Sequence, residues 1–197
     1  MDLAWLLVVP AYLLGTFPTA IVVGRRVGRD PTAEGSGNPG ASNTFRTMGR
    51  RAGATVLVGD VAKGALAAAL GLLSGNRAVG VAGGLAAVLG HVAPATRRLR
   101  GGKGVATGAG MAAVLIPVGA LGLAALWLVT VRVVGAASAG SVAVAVGFPV
   151  AAAAVGRPAG EVVAFAACGA LVLARHRGNL ERLRRGEERS LAPETSE

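Results

Sequence analysis

The chain has 197 residues, a net charge of +10 and a mean hydropathy of +0.59, with 53% hydrophobic but only 15% charged residues. Soluble domains carry about 25% charged residues, so an ordinary water-soluble fold is excluded. The positive charge is therefore not read as a nucleic-acid footprint, because clustered arginines in a membrane protein set its topology and meet anionic lipid.

Residues 3–24 form a first apolar span, with Pro10 and Pro18 as expected kinks that neighbouring helices tolerate in lipid. Asp2 stands where a signal peptide carries basic residues, which favours a retained span. Residues 25–52 are a long polar loop whose centre runs from Gly35 to Arg46. A second span, residues 53–73, contains Asp60 and Lys63, spaced i and i+3 and so on one helical face. Ionisable side chains within a span face the bundle interior or a polar cavity, so this pair either locks the fold or supports a site. A turn, Ser74-Gly75-Asn76-Arg77, leads to a third span over 78–95 that ends near His91 and Pro94.

A compact basic loop follows, with Arg97, Arg98, Arg100 and Lys103. Residues 105–134 are apolar, long for one crossing and short for two, and Ile116-Pro117 interrupts them. Spans at 138–155 and 159–175 complete the apolar part, with Cys168, the only cysteine, as a packing residue and no disulfide framework. The tail over 176–197 alternates arginine and glutamate and predicts a short interfacial helix.

Charge placement decides the topology. The polar loop carries six basic residues, the second loop four and the tail from Arg175 six, sixteen of the twenty in all. The positive-inside rule puts these three regions on the cytoplasmic side, and the tail reaches that side only if residues 105–134 cross twice. The expectation is one all-α integral membrane domain over 1–197 with about seven transmembrane helices. Its N-terminus lies outside, and its loops at about 25–52 and 96–104 and its tail are cytoplasmic.

On that side the loops bring together Ser36, Asn38, Asn43, Arg46, Lys103, His176 and Asn179, with backbone N–H groups freed by glycine. Short polar side chains, a guanidinium and an ammonium suit a ligand carrying one or two phosphates. There is no dense carboxylate cluster for a divalent cation and no zinc spacing, so no metal and no cofactor are expected. Two motifs are decoys. Gly35-x-Gly37-x-x-Gly40 matches a dinucleotide fingerprint but lacks a βαβ unit, and Gly102-Lys103 lacks the rest of a P-loop.

Three stretches in order carry a resemblance. They are Gly35-Ser36-Gly37-Asn38-x-Gly40-Ala41-Ser42-Asn43, then Gly90-His91 leading to Gly101-Gly102-Lys103-Gly104-Val105-Ala106-Thr107, then His176-Arg177-x-Asn179-Leu180-x-Arg182-Leu183-x-x-Gly186-x-Glu188. Together they resemble the motifs of the bacterial acyl-phosphate:glycerol-3-phosphate acyltransferase family, over nearly the whole chain. Ser42 stands where threonine is usual and Leu180 where isoleucine is usual, and the segment over 93–99 lacks the family's aromatic residues.

The resemblance implies a seven-helix enzyme of the bacterial cytoplasmic membrane. It implies transfer of an acyl chain from acyl phosphate to the sn-1 hydroxyl of glycerol-3-phosphate, beside membrane lipid and linked functionally to an enzyme that makes acyl phosphate. On this reading Ser36, Gly37, Arg46 and Lys103 bind phosphate, and Gly101, Gly102 and Gly104 let the backbone approach it. His176 and Asn179 position glycerol-3-phosphate or the reacting carbonyl. Asn38 and Asn43 hold the first loop, and His91, Asp60 and Lys63 support the site. His176 is followed five residues later by Glu181, as in the His–Asp pair of other glycerolipid acyltransferases; the resembled family does not use such a pair, so Glu181 reads as a tail charge. The competing reading is a transporter or binding protein for a phosphorylated solute, marked by a polar path at mid-membrane depth. A structural membrane protein with a basic lipid-binding face is a third.

Overall fold

Proline breaks the first apolar segment into pieces. A short 3-10 helix, Leu3–Leu7, runs into α1 (Val8–Gly15), and after Thr16-Phe17-Pro18 the chain resumes as α2 (Thr19–Arg26). The computed structural model describes residues 2–191, and no strand occurs among them. The remaining helices are α3 (Ala41–Leu73), α4 (Arg77–Val92), α5 (Val105–Leu115), α6 (Pro117–Val134), α7 (Ala137–Ala154), α8 (Ala159–Arg175) and α9 (Arg177–Arg185).

Among the described residues five segments are long and apolar enough to cross a membrane: Leu3–Arg26, Ala41–Leu73, Arg77–Arg97, Pro117–Val134 and Ala137–Ala154. The pair α8 and α9, bent by 61°, makes a sixth if it is taken as one span. Residues 105–134 do divide at Ile116-Pro117, but unequally. At about 1.5 Å per residue, α5 covers roughly half of a 30 Å hydrocarbon core, whereas α6 is nearly long enough to span it.

The polar loop also differs from its expected form, because its second half is helical. At Gly49 the backbone turns to φ 87° and ψ 173°, where an L side chain is strained, and the helix reverses. The bend is sharp enough that a Cβ at Gly53 would lie 2.6 Å from the Cβ of Phe45. The arm over 41–48 lacks a strong apolar period, but Ala41 and Met48 pack on the small cluster of Ala20, Val23, Ala52 and Val56.

Polarity is arranged as lipid demands. Leu57, Val58, Leu66 and Leu70 on α3 and Val118, Leu121, Leu128 and Val129 on α6 are exposed, while Asp60, Lys63 and His91 are buried. An apolar outside with charges inside is the inverse of a water-soluble domain.

Inside, backbones meet at glycine. A Cβ on Gly64 would stand 2.0 Å from the Thr107 carbonyl oxygen and one on Gly110 only 1.9 Å from that of Val61, which fixes α5 against α3. Gly15 against Ala87 and Gly90 against Tyr12 join α1 to α4 in the same way, at 2.1 and 2.2 Å. Without a hydrophobic drive between helices in lipid, this close van der Waals approach holds the bundle. The central core gathers Met111, Leu115, Phe148, Phe165 and Cys168 around a tilted Phe148–Phe165 pair with centroids 6.1 Å apart.

Candidate active site

The first loop owes its shape to one side chain. Asn43 is buried, and its Oδ1 accepts from the Ser36 backbone N–H at 2.8 Å and from Ser36 Oγ at 3.0 Å. Its Nδ2 donates to the carbonyls of Pro31 at 3.0 Å and Glu34 at 3.1 Å. Arg29 adds a bond to the Thr47 carbonyl and an ion pair with Glu34. With Asn43 committed to the loop, Ser36, Asn38 and Arg46 line the adjoining cavity. Gly37 does not line it; at φ 68° it closes a turn by donating to the Glu34 carbonyl at 2.9 Å.

The second loop is clamped from both sides. Gly101 and Gly102 donate to the carbonyls of Val92 and His91 at 3.2 and 3.0 Å. Their own carbonyls accept from the Arg175 guanidinium at 3.0 and 3.3 Å. These two glycines lie behind the cavity rather than in its wall, while Lys103, Gly104, Val105 and Ala106 line it. Gly104 stands at φ 88° and caps α5 with no side-chain bond, and Val105 and Ala106 of the first turn line the same space.

The third motif meets the second at Asn179. Its Oδ1 accepts from Lys103 Nζ, and its Nδ2 donates to Glu188 Oε1 at 2.9 Å. Glu188 Oε2 accepts from Arg182 Nε at 3.0 Å. His176 is buried with Nδ1 2.8 Å from the Val172 carbonyl, which can only accept. The Nδ1 therefore carries the proton, and a neutral ring keeps its lone pair on Nε2.

The resulting cavity measures about 400 Å³. Its lining divides by element. The loops, the arm of α3, α9 and its flanks contribute Ser36, Asn38, Arg46, Lys103, His176, Asn179, Arg182 and Glu188, and α6 and α7 contribute Leu123, Ala124, Trp127, Leu128, Val144 and Phe148. Asp60 and His91 also reach the wall, whereas Lys63 sits behind them. Among the described residues no three His, Cys, Asp or Glu side chains converge as a metal site.

Burial, partly opposed by the Glu188 carboxylate and reinforced by the Arg182, Arg46 and Arg175 guanidiniums, pushes the Lys103 ammonium down to about 8.

Several lining residues were not singled out from sequence. Glu188 and Arg182 of the third motif line the cavity, whereas Glu181 is exposed and does not. Ser138 and Ser141 lie at i and i+3 in the first turns of an otherwise apolar helix and face the cavity. Their only sequence signal is that spacing.

Cationic and hydrogen-bonding groups at one end and aromatic and aliphatic side chains along the other define a membrane protein able to hold a ligand with an anionic head and an apolar tail. The chain belongs to the glycerol-3-phosphate acyltransferase family, whose sequence profile matches residues 5–186. The glycerol-3-phosphate acyltransferase of Methylococcus capsulatus is 39% identical over 197 residues, 97% of this chain and 98% of the relative. The one from Bacillus cereus strain G9842 is 41% identical over 187 residues, 93% of this chain and 92% of the relative. The fold is similar to crystal structures of PlsY (YgiH), an integral membrane glycerol 3-phosphate acyltransferase, in its glycerol 3-phosphate and lysophosphatidic acid forms. The TM-scores are 0.89 and 0.87, each at 34% identity and covering 95% of this chain and 94% of the other.

Proposed function

We propose that this protein transfers a fatty acyl group from acyl phosphate to the sn-1 hydroxyl of glycerol-3-phosphate, forming lysophosphatidic acid and phosphate at the start of phospholipid synthesis. The observation that carries the reading is the divided cavity, in which Lys103, Arg46 and Asn179 stand beside an apolar wall that includes Trp127 and Phe148. The donor and the product are both amphiphiles with an anionic head, and glycerol-3-phosphate is an anion alone.

Chemistry of this kind needs little from the protein beyond orientation. In acyl phosphate the carbonyl carbon already carries a good leaving group, so no covalent enzyme intermediate is required. The sn-1 oxygen attacks that carbon, the carbonyl–O–phosphate bond breaks, and the departing phosphate takes the hydroxyl proton. Lys103, Ser36 and Arg46 bind phosphate oxygens, with Gly104 bringing the backbone near, while Gly101 and Gly102, committed to Val92, His91 and Arg175, hold the loop from behind. Asn179 and His176 orient glycerol-3-phosphate and the carbonyl. Holding two reactants in this geometry turns a bimolecular step into an effectively unimolecular one.

The chain acts as a single domain in the bacterial cytoplasmic membrane. It has seven crossings counting the short α5, an external N-terminus and a site facing the cytoplasm, where soluble glycerol-3-phosphate and an acyl-phosphate-producing enzyme are found. The sixteen basic residues clustered in three regions support that orientation. The transporter reading is not favoured, because the deeper polar groups Asp60, Lys63 and His91 engage one another and the Phe17 carbonyl.

Phosphate release by purified protein in lipid tests the reading. Release should require acyl phosphate and glycerol-3-phosphate together, and release from acyl phosphate alone at the same rate would contradict it.

A further inference from the structure

The loop that carries Lys103 rests on a buried polar cluster. In α3, Lys63 Nζ lies 2.9 Å from Asp60 Oδ1 and donates to the Phe17 carbonyl at 3.2 Å, where the first span is broken before Pro18. Asp60 Oδ1 lies 3.7 Å from Nδ1 of His91 in α4. All three residues are buried, although a buried ion pair is by itself weak grounds for stability.

The far edge of the imidazole faces Gly102. A Cβ built at Gly102 would stand 2.1 Å from His91 Nε2, 2.8 Å from Cε1 and 3.1 Å from Cδ2, so its three nearest neighbours all belong to that one ring. Gly102 is not in the left-handed region, so alanine is excluded there by the ring rather than by the backbone. The same glycine donates to the His91 carbonyl at 3.0 Å. His91 therefore holds the residue before Lys103 through both its main chain and its ring.

We propose that His91, set in place by the Asp60–Lys63 pair, is a positioning residue: its ring seats Gly102 and thereby fixes where the Lys103 ammonium meets the substrate phosphate. The proposal rests on the reading of Lys103 as a phosphate ligand and takes that phosphate to be the one of glycerol-3-phosphate. Contact passes from the break in the first span, through Lys63, Asp60, His91 and Gly102, to Lys103, so three apolar spans are tied to one polar group.

A size-swap cycle tests this, using Gly102→Ala, His91→Ala and the double variant purified in lipid nanodiscs, with KM for each substrate and kcat measured separately. Gly102→Ala is expected to raise KM for glycerol-3-phosphate about tenfold or more, since methyl and ring compete for one space. His91→Ala is expected to raise it about fivefold by leaving the loop unsupported, and the double variant to return to within about threefold of wild type because the methyl fills the vacated space. KM for acyl phosphate should stay within about twofold throughout, a selectivity that general destabilisation would not produce. Should His91→Ala not yield folded protein, His91→Asn replaces it, since it keeps a polar group towards Asp60 and ends short of Gly102. Replacing the pair together, Asp60→Asn with Lys63→Met, is expected to raise KM for glycerol-3-phosphate in the same selective way.

Single effects that multiply in the double variant, or single variants with unchanged KM for glycerol-3-phosphate, would overturn the proposal. Lys103→Ala separates the two levels. Glycerol-3-phosphate bound by that variant as tightly as by wild type, in a direct binding measurement, removes the role given to Lys103, whereas weakened binding there without rescue in the swap removes only the role given to His91.

Discussion

Asn179 accepts a hydrogen bond from Lys103 across a separation of 76 residues and donates in turn to Glu188, 2.9 Å away. One amide thus joins the second loop to the tail and sets its own orientation, because Lys103 can only donate and the Glu188 carboxylate only accept. Lys103 lines the cavity, and Asn179 is the hydrogen-bond partner of its ammonium among the described residues.

That placement carries a pH dependence. Lys103 is pushed down to about 8, so raising the pH through that value removes the charge that meets phosphate. The value of kcat/KM for glycerol-3-phosphate, which reports the free enzyme, should fall above about pH 8. In Lys103→Arg the fall should disappear whatever its absolute rate, because guanidinium stays charged throughout. An unchanged alkaline limb in that variant would assign the fall to another group.

The tail contributes through Glu188. In Glu188→Ala both Asn179 Nδ2 and Arg182 lose their acceptor. Turnover should drop about tenfold or more, the scale of losing a charged hydrogen bond worth ~1.5–3 kcal/mol. Glu181→Gln should remain within about twofold of wild type, as expected for an exposed surface charge. Steady-state rates of the two variants side by side check the assignment.

Asn43 is expected to matter for stability before chemistry. Asn43→Ala would strand the Pro31 and Glu34 carbonyls and the Ser36 N–H, each at about 1–3 kcal/mol where water cannot replace the bond. Thermal unfolding in detergent should show a clearly lower midpoint for Asn43→Ala than for Ser36→Ala, which keeps the backbone bond.

The apolar wall makes a separate prediction. Ala124→Phe places a ring in the space bounded by Leu123, Trp127 and Leu128. KM should rise severalfold for a long-chain acyl phosphate and change less for a short-chain one, with KM for glycerol-3-phosphate unaffected, as expected when only uniform donor binding is lost. A donor-series assay reads this directly.

Much of this was legible in the sequence because polarity is conspicuous in so apolar a chain. The three loops, the Asp60–Lys63 spacing and the break that ends α5 at Leu115 and begins α6 at Pro117 all follow from local chemistry. The helical arm over 41–48 was not legible, since its packing partners Ala20 and Val23 come from another helix. Glu188 was obscured by Gly186, which ends α9 at φ 71° and returns the chain towards Asn179, a turn that places residue 188 rather than 181 at the site. Ser138 and Ser141 were hidden because two small hydroxyls barely alter the apolar character of their helix.

Lysophosphatidic acid formation by purified protein in lipid, supplied with acyl phosphate and glycerol-3-phosphate, tests the proposed reaction most directly. Wild type should form the product, and folded Lys103→Ala and His176→Ala should each lose turnover, which would tie two distant loops to one reaction. Retained turnover in both variants would contradict the site, and absent turnover in wild type with glycerol-3-phosphate still bound would contradict the reaction.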